Sequence, residues 1–218
     1  AELNTHKADG ASHSKTARFV VGTSTAGWTA ADCDYLCDGT KDQVEIIQAL
    51  NDLPATGGEV VILDGIYNIT ASINIPKNNV SLRGNGNATI LKRMYNSTNT
   101  DSGSTAKGVI TLNGKSGCKI QNMQIDGNKA AYTASYNYGI SLHSSSSDNT
   151  VTGNTCNNNN NGIYLYSSSD NTITGNTCNN SNYGIYLYNS SRNTITDNTC
   201  SSNKSSGIYS FNSSNSII

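Results

Sequence analysis

The chain has 218 residues, 13% of them charged, with a net charge of −1 and only 14 Lys and Arg. Those few, scattered cations exclude an electrostatic nucleic-acid footprint, and no stretch approaches the roughly 20 apolar residues of a membrane-spanning helix. Asn, Ser, Thr, Gly and Tyr dominate instead, a composition suited to a solvated extracellular or cell-surface protein, and Asn-x-Ser/Thr sequons at Asn68, Asn79, Asn87, Asn96, Asn189, Asn203 and Asn212 agree with export.

Residues 1–33 read as an irregular lead with one strand, Ala17-Arg-Phe-Val-Val21. Cys33 and Cys37 sit close together and suit a disulfide in an exported chain. One helix is expected over residues 42–53. Thr40 and Gln43 have capping-box spacing, and Val44, Ile46, Ile47, Leu50 and Leu53 share an apolar face. Pro54 and the Gly57-Gly58 pair end it. Short strands follow over 59–63, 67–69, 73–75, 80–82, 109–112 and 119–125, divided by turn signals at Asp64-Gly65, Pro76 and Gly84-Asn-Gly86. A long loop is expected over 94–108, carrying Asp101, and a small insertion over 130–137.

From residue 139 the chain becomes periodic. Asn149-Thr-Val-Thr-Gly-Asn-Thr-Cys156, Asn171-Thr-Ile-Thr-Gly-Asn-Thr-Cys178 and Asn193-Thr-Ile-Thr-Asp-Asn-Thr-Cys200 are near-copies spaced 22 residues apart. Each leads into a Gly-Ile-Tyr strand, at Gly162-Ile-Tyr-Leu-Tyr166, Gly184-Ile-Tyr-Leu-Tyr188 and Gly207-Ile-Tyr-Ser-Phe211. A short fixed period of β-type residues without helices specifies a solenoid that turns once per repeat. The N-terminal pattern carries a resemblance. Asp38-Gly-Thr-Lys-Asp-Gln-Val-Glu45, Gly57-Gly-Glu-Val-Val-Ile-Leu-Asp-Gly-Ile-Tyr-Asn-Ile69 and Asn79-Val-Ser-Leu-Arg-Gly-Asn-Gly86 resemble the start of the pectate-lyase-like parallel β-helix superfamily. Ile125-Asp-Gly-Asn128 and the Asn-Thr-Ile-Thr-Gly-Asn segments are similar to its repeats, a type also seen in periplasmic copper-processing proteins, phage tailspikes and archaeal surface or disaggregatase proteins. The resemblance implies an all-β fold: a right-handed single-stranded parallel β-helix over residues 34–218, capped by the helix, with irregular coils over 59–137 and regular ones over 139–218. It implies no single activity, since that superfamily hosts lyases, hydrolases, epimerases and non-enzymes.

Residues one repeat apart stack, so function is sought in columns. Alternation turns Ile163 and Leu165 inward and Tyr164 and Tyr166 outward. Two outward aromatic columns result, Tyr164/Tyr186/Tyr209 and Tyr166/Tyr188/Phe211, headed by Ser141 and His143. Such a ribbon can stack on sugar faces while its phenols bond to sugar hydroxyls, so polysaccharide is the expected ligand. The matching inward columns are Ile140/Ile163/Ile185/Ile208 and Val151/Ile173/Ile195/Ile217. Cys156, Cys178 and Cys200 stack as small core residues in the place that Ile125 holds one coil earlier, and Cys118 reads as core. Asn154, Asn176 and Asn198 recur at a turn, as bonded amides would. Thr-x-Thr pairs, edged by Asn149, Asn171 and Asn193, line a second outward face.

Asp148, Asp170 and Arg192 form a further column. Two carboxylates one coil apart would suit a retaining glycosidase pair or a Ca²⁺ site, whereas a turn that tolerates Asp, with Arg192 relieving repulsion, needs neither. Among Lys119, Lys129, Arg192 and Lys204, only Arg192 has an evident acid neighbour in the sequence, and no catalytic constellation stands out. No cofactor is called for beyond that Ca²⁺ option. The expected protein is therefore an exported polysaccharide-engaging β-helix, a binding module or part of a depolymerase. The rival is a structural or filament-forming protein whose final coil, ending mid-turn at Asn215-Ser-Ile-Ile218, stacks end to end on another copy.

Overall fold

A computed structural model describes residues 17–97 and 107–218. Its elements in chain order are β1 (Arg18–Thr23), β2 (Tyr35–Cys37), α1 (Gln43–Asp52), β3 (Gly58–Ile62), β4 (Gly65–Ile69), β5 (Ile73–Asn74), β6 (Val80–Arg93), β7 (Gly108–Asn113), β8 (Lys119–Asp126), β9 (Tyr138–His143), β10 (Thr150–Thr152), β11 (Thr155–Asn157), β12 (Asn161–Tyr166), β13 (Thr172–Thr174), β14 (Tyr183–Tyr188), β15 (Thr194–Thr196) and β16 (Ser206–Phe211). Every ladder between them is parallel. Two sheets result: sheet A runs β15-β13-β10-β8-β6-β3-β1-β2, and sheet B runs β16-β14-β12-β9-β7-β5. This is the right-handed parallel β-helix that the resemblance implied.

The core is a set of columns. Ile140, Ile163 and Ile185 stack in register and are fully buried, as are Val151 and Ile173. Cys156 pairs with Ile125, and both Cys156 and Cys178 are sealed in the core with Cys118 close to it. Ile217 departs from its expected column: it bridges to Thr194 and is 64% exposed.

Each regular coil has four corners at which one residue takes a left-handed conformation: Asp148/Asp170/Arg192, Gly153/Gly175/Asp197, Asn158/Asn180/Ser202 and Ser167/Asn189/Asn212. Gly, Asn and Asp tolerate that conformation best, which accounts for much of the composition. The residue after each corner turns inward and bonds to the next coil. Asn154 Nδ2 donates to Asn176 Oδ1 at 3.1 Å, and Asn176 Nδ2 to Asn198 Oδ1 at 3.0 Å. The same oxygens accept the backbone N–H groups of Asn154 and Asn176. Asn149, Asn171 and Asn193, expected to edge the Thr face, instead build a second buried column, with bonds of 3.0 and 3.3 Å. Asn159, Ser181 and Asn203 close the third corner, and Ser168 and Ser190 the fourth, by accepting or donating in the same way.

Three further expectations are corrected. The Gly84-Asn-Gly86 turn is not a break: β6 runs through it, absorbing register shifts between Arg83 and Ile90. Cys33 and Cys37 are both free thiols. Cys33 Sγ faces Thr29 O, while Cys37 Sγ points into the core toward Asp42 O. The buried face of α1 consists of Gln43, Ile46, Ala49 and Leu50, leaving Val44 53% exposed. Gln43 does not close a capping box; its amide pairs with Thr70, and Asp42 accepts the backbone N–H groups of Gly39 and Asn68. Most of the expected 94–108 loop, with Asp101, lies outside the described residues.

The corner amides should dominate stability. Asn176→Ala strips acceptors from Asn154 and a donor from the Val151 carbonyl, all buried. The expected loss is about 3 kcal/mol, against less than about 0.5 kcal/mol for outward Thr152→Ala, read as shifts of the urea unfolding midpoint.

Candidate functional site

Sheet B presents the aromatic columns because β12, β14 and β16 pair without offset: Tyr164, Tyr186 and Tyr209 align, as do Tyr166, Tyr188 and Phe211. In the second column the rings stack nearly parallel, with centroids 5.5 Å apart at 9° and 5.2 Å apart at 18°. In the first they are tilted or edge-on, at 5.3 and 5.1 Å. Two rings that lie outside the Gly-Ile-Tyr triplets join them. Tyr138 packs 4.6 Å from Tyr164, and Tyr183 lies 5.0 Å from Tyr186 and 5.3 Å from Tyr209. Tyr166, Tyr209 and Phe211 are exposed by 41%, 37% and 48%, while Tyr164, Tyr183, Tyr186 and Tyr188 are half-buried. Burial pushes the phenols of Tyr164 and Tyr186 up, so both keep their protons as donors. These rings form a run of apolar and hydroxyl-bearing surface, and exposed patches of that kind commonly meet a partner.

The heads of the two columns are closed. His143, expected to extend the outward face, is only 2% exposed, and Ser141 is fully buried. Ser141 joins a buried hydroxyl chain with Thr111 and Ser72, at 3.1 and 3.0 Å. His143 lies among the rings of Tyr164 and Tyr166 at 5.6 and 6.0 Å, and neither of its nitrogens has a hydrogen-bond partner. Burial, aided by the charge of Lys107, lowers its pKa from 6.5 to about 4, so it is neutral near pH 7. Nearby, a fully buried arginine unnoticed in the sequence fastens two segments. Arg93 donates to Lys107 O and Tyr138 O at 3.0 and 2.6 Å and lies 4.3 Å over the Tyr95 ring.

The Asp148/Asp170/Arg192 column occupies one left-handed corner. Arg192 grips Asp170 through two bonds of 2.8 and 2.7 Å, which hold that carboxyl below its ordinary range. Asp148 accepts from Ser147 at 3.0 Å. All of these groups are solvent-facing, so the ion pair contributes little energy. The column's geometry follows from the turn.

Residues 53–218 match the family model described as periplasmic copper-binding protein, NosD. The chain belongs to the NosD family. Among solved structures, this NosD-family chain is similar to ORF18 of Geobacillus virus E2, at 22% identity and TM-score 0.63 over 91% of the chain. The A-module of mannuronan C-5 epimerase AlgE4 from Azotobacter vinelandii aligns at 16% identity and TM-score 0.66 over 87%. A Parabacteroides merdae protein provisionally described as a glycosyl hydrolase aligns at 16% identity and 0.65 over 92%, covering 96% of that protein. The chain spans 41% and 53% of the lengths of the first two. At these identities the likeness is one of fold. No curated protein sequence matches the chain.

Copper does not fit the donors in the matched region. Copper(I) prefers thiolate, thioether and imidazole ligands that converge. Here the Cys156 and Cys178 thiols are enclosed by the core, and their neighbours and burial drive the thiol of Cys178 up, disfavouring the thiolate. Met123 is fully buried, and His143 lacks the second-sphere bond that orients a ligating imidazole. Cys200, next in the column, is partly buried, and its contact with Cys178 together with burial pushes its thiol up as well. Among the described residues, three His, Cys, Asp or Glu donors come together at Cys37, Asp42 and Glu45, within 4.8 Å of one another and outside the matched region.

The buried His143 makes this NosD-family chain acid-sensitive in a defined window. The unfolded state takes up a proton near pH 6.5 and the folded state only near pH 4, so stability falls as pH drops between those values. The expected loss is on the order of 3 kcal/mol. Urea unfolding of the protein and of His143→Phe at pH 7 and pH 4.5 should reveal a smaller acid loss in the variant.

Proposed function

We propose that this protein is an exported β-helix that holds a polysaccharide along the aromatic face of sheet B. The observation carrying the reading is the in-register pair of ring columns. Successive rungs lie about 4.8 Å apart, close to the rise of a sugar residue, so a chain laid along the axis meets a ring at every step. The half-exposed tyrosines offer apolar faces to pyranose C–H groups and protonated phenols to sugar hydroxyls. Two fold relatives, a mannuronan epimerase and a protein provisionally described as a glycosyl hydrolase, agree with carbohydrate as the ligand class. Export agrees with the periplasmic description of the family, and among the described residues no helix is long and apolar enough to cross a membrane. Binding rather than turnover is proposed, because the Asp170 carboxylate is committed to Arg192 and, among the described residues, no acid–base pair converges on the aromatic face.

The test is retention on a glycan array, followed by calorimetry with the best ligand. Tyr186→Ala and Tyr188→Ala should each weaken binding by roughly tenfold while leaving the unfolding midpoint within a few degrees, since both side chains are only half-buried. Binding that survives both substitutions would remove the reading. So would light scattering in which the protein assembles with concentration and the same substitutions abolish assembly, because the rings would then be an interface between copies.

A further inference from the structure

At the corner where sheet A passes into sheet B there is an open pocket of about 430 Å³, lined by Asp126, Asn128, Lys129, Ala130, Asn158 and Asn180. Lys129 leaves the turn after β8 and stretches across two coils, where its Nζ donates to Asn182 Oδ1 at 2.8 Å. Asn182 directly precedes Tyr183, whose ring packs on Tyr186 and Tyr209, so the Lys129 ammonium reaches the edge of the aromatic face. A second cation, Lys204, belongs to the next coil, where its backbone N–H donates to Ser181 O, beside Asn182.

Among the described residues neither ammonium group forms an ion pair. Ion pairs among the described residues are Arg18–Glu59, Arg83–Glu59 and Arg192–Asp170. Asp126 lines the same pocket; its carboxylate accepts from Asn128 N at 3.0 Å and Asn158 Nδ2 at 3.1 Å and forms no ion pair with either lysine. Partial burial, and then the charge of Lys204, pull the pKa of Lys129 down, as expected for like charges sharing a partly desolvated place. An arriving anion relieves both effects, and the corner amides of Asn158 and Asn180 supply neutral polar surface around it.

We propose that Lys129 and Lys204 form an anion subsite that takes the acid groups, carboxylate or sulfate, of a charged glycan whose sugar rings lie on Tyr183, Tyr186 and Tyr209. This rests on the polysaccharide reading above and narrows it to polyanionic chains. Aromatic stacking alone does not distinguish charged from neutral sugars; the lysine pair does. It is also the place where electrostatic steering acts, on a molecule whose net charge of −1 would not otherwise attract an anion.

The experiment compares a long oligogalacturonate with its methyl ester, the same backbone without its charges, by calorimetry at low and high salt. The acid form should bind more tightly, and the difference should shrink as salt rises. Lys129→Gln and Lys204→Gln should each weaken the acid form by about fivefold and leave the ester unchanged. Dextran sulfate against dextran makes the same comparison for sulfate, and a preference in either pair that both lysine variants lose supports the subsite and identifies its acid. Equal binding of charged and uncharged partners, or lysine variants that weaken both alike, would overturn the subsite while leaving the aromatic reading standing. If none of these glycans is retained and the array is also empty, the broader reading fails and takes the subsite with it.

Discussion

At every corner of a coil the backbone leaves its sheet, and its N–H and C=O groups face an interior that excludes water. The rest of the structure depends on side chains that satisfy those groups. A left-handed residue makes each corner, and the next residue sends an Asn amide or Ser hydroxyl inward to bond with the coil below. An Asn suits this place because it both donates and accepts: its oxygen takes a backbone N–H, and its nitrogen reaches a carbonyl of the preceding coil. Sheets A and B hold their register because these corners fix where each strand begins.

That register makes the surface what it is. With strands pinned, residues 22 or 23 apart are forced onto one another, and outward tyrosines become columns at a spacing set by backbone hydrogen bonds. The same stacking places an arginine under Asp170 and lets Lys129 span two coils to reach Asn182. Chemistry on this scaffold is therefore a matter of which residue types occupy adjacent coils, with little freedom to adjust geometry afterwards.

The periodic part of the fold was legible in the sequence because period and alternation are local. The aromatic pairs, the buried Cys156 and Cys178 and the inward column from Ile140 to Ile185 follow from them, whereas Ile217 and the half-buried Cys200 depart from the pattern at the last coil. Three kinds of feature were hidden. Asn149, Asn171 and Asn193 look like strand-edge residues, and only the corner geometry turns them inward. Tyr138 and Tyr183 sit before the conspicuous triplets, so nothing in the pattern marks them as part of the face. His143 is buried although alternation turns its column outward, and Arg93 ties segments together with bonds that span up to 45 residues. Long-range fastening of that kind leaves no periodic trace. The helix face misled for a related reason: buried Gln43 looks polar on a helical wheel, yet its amide is satisfied by Thr70 on a neighbouring turn.

The bonds of the corner columns and of both sheets all point along the solenoid axis, from one coil to the next. Tension applied along that axis would thus load the few bonds of a single coil boundary at a time, and the molecule would yield by peeling, coil after coil, at low force. Tension across the axis would have to shear whole ladders together. A β-helix of this kind is compliant when pulled by its ends and stiff when dragged from the side, the direction in which a glycan lying along sheet B would be torn away.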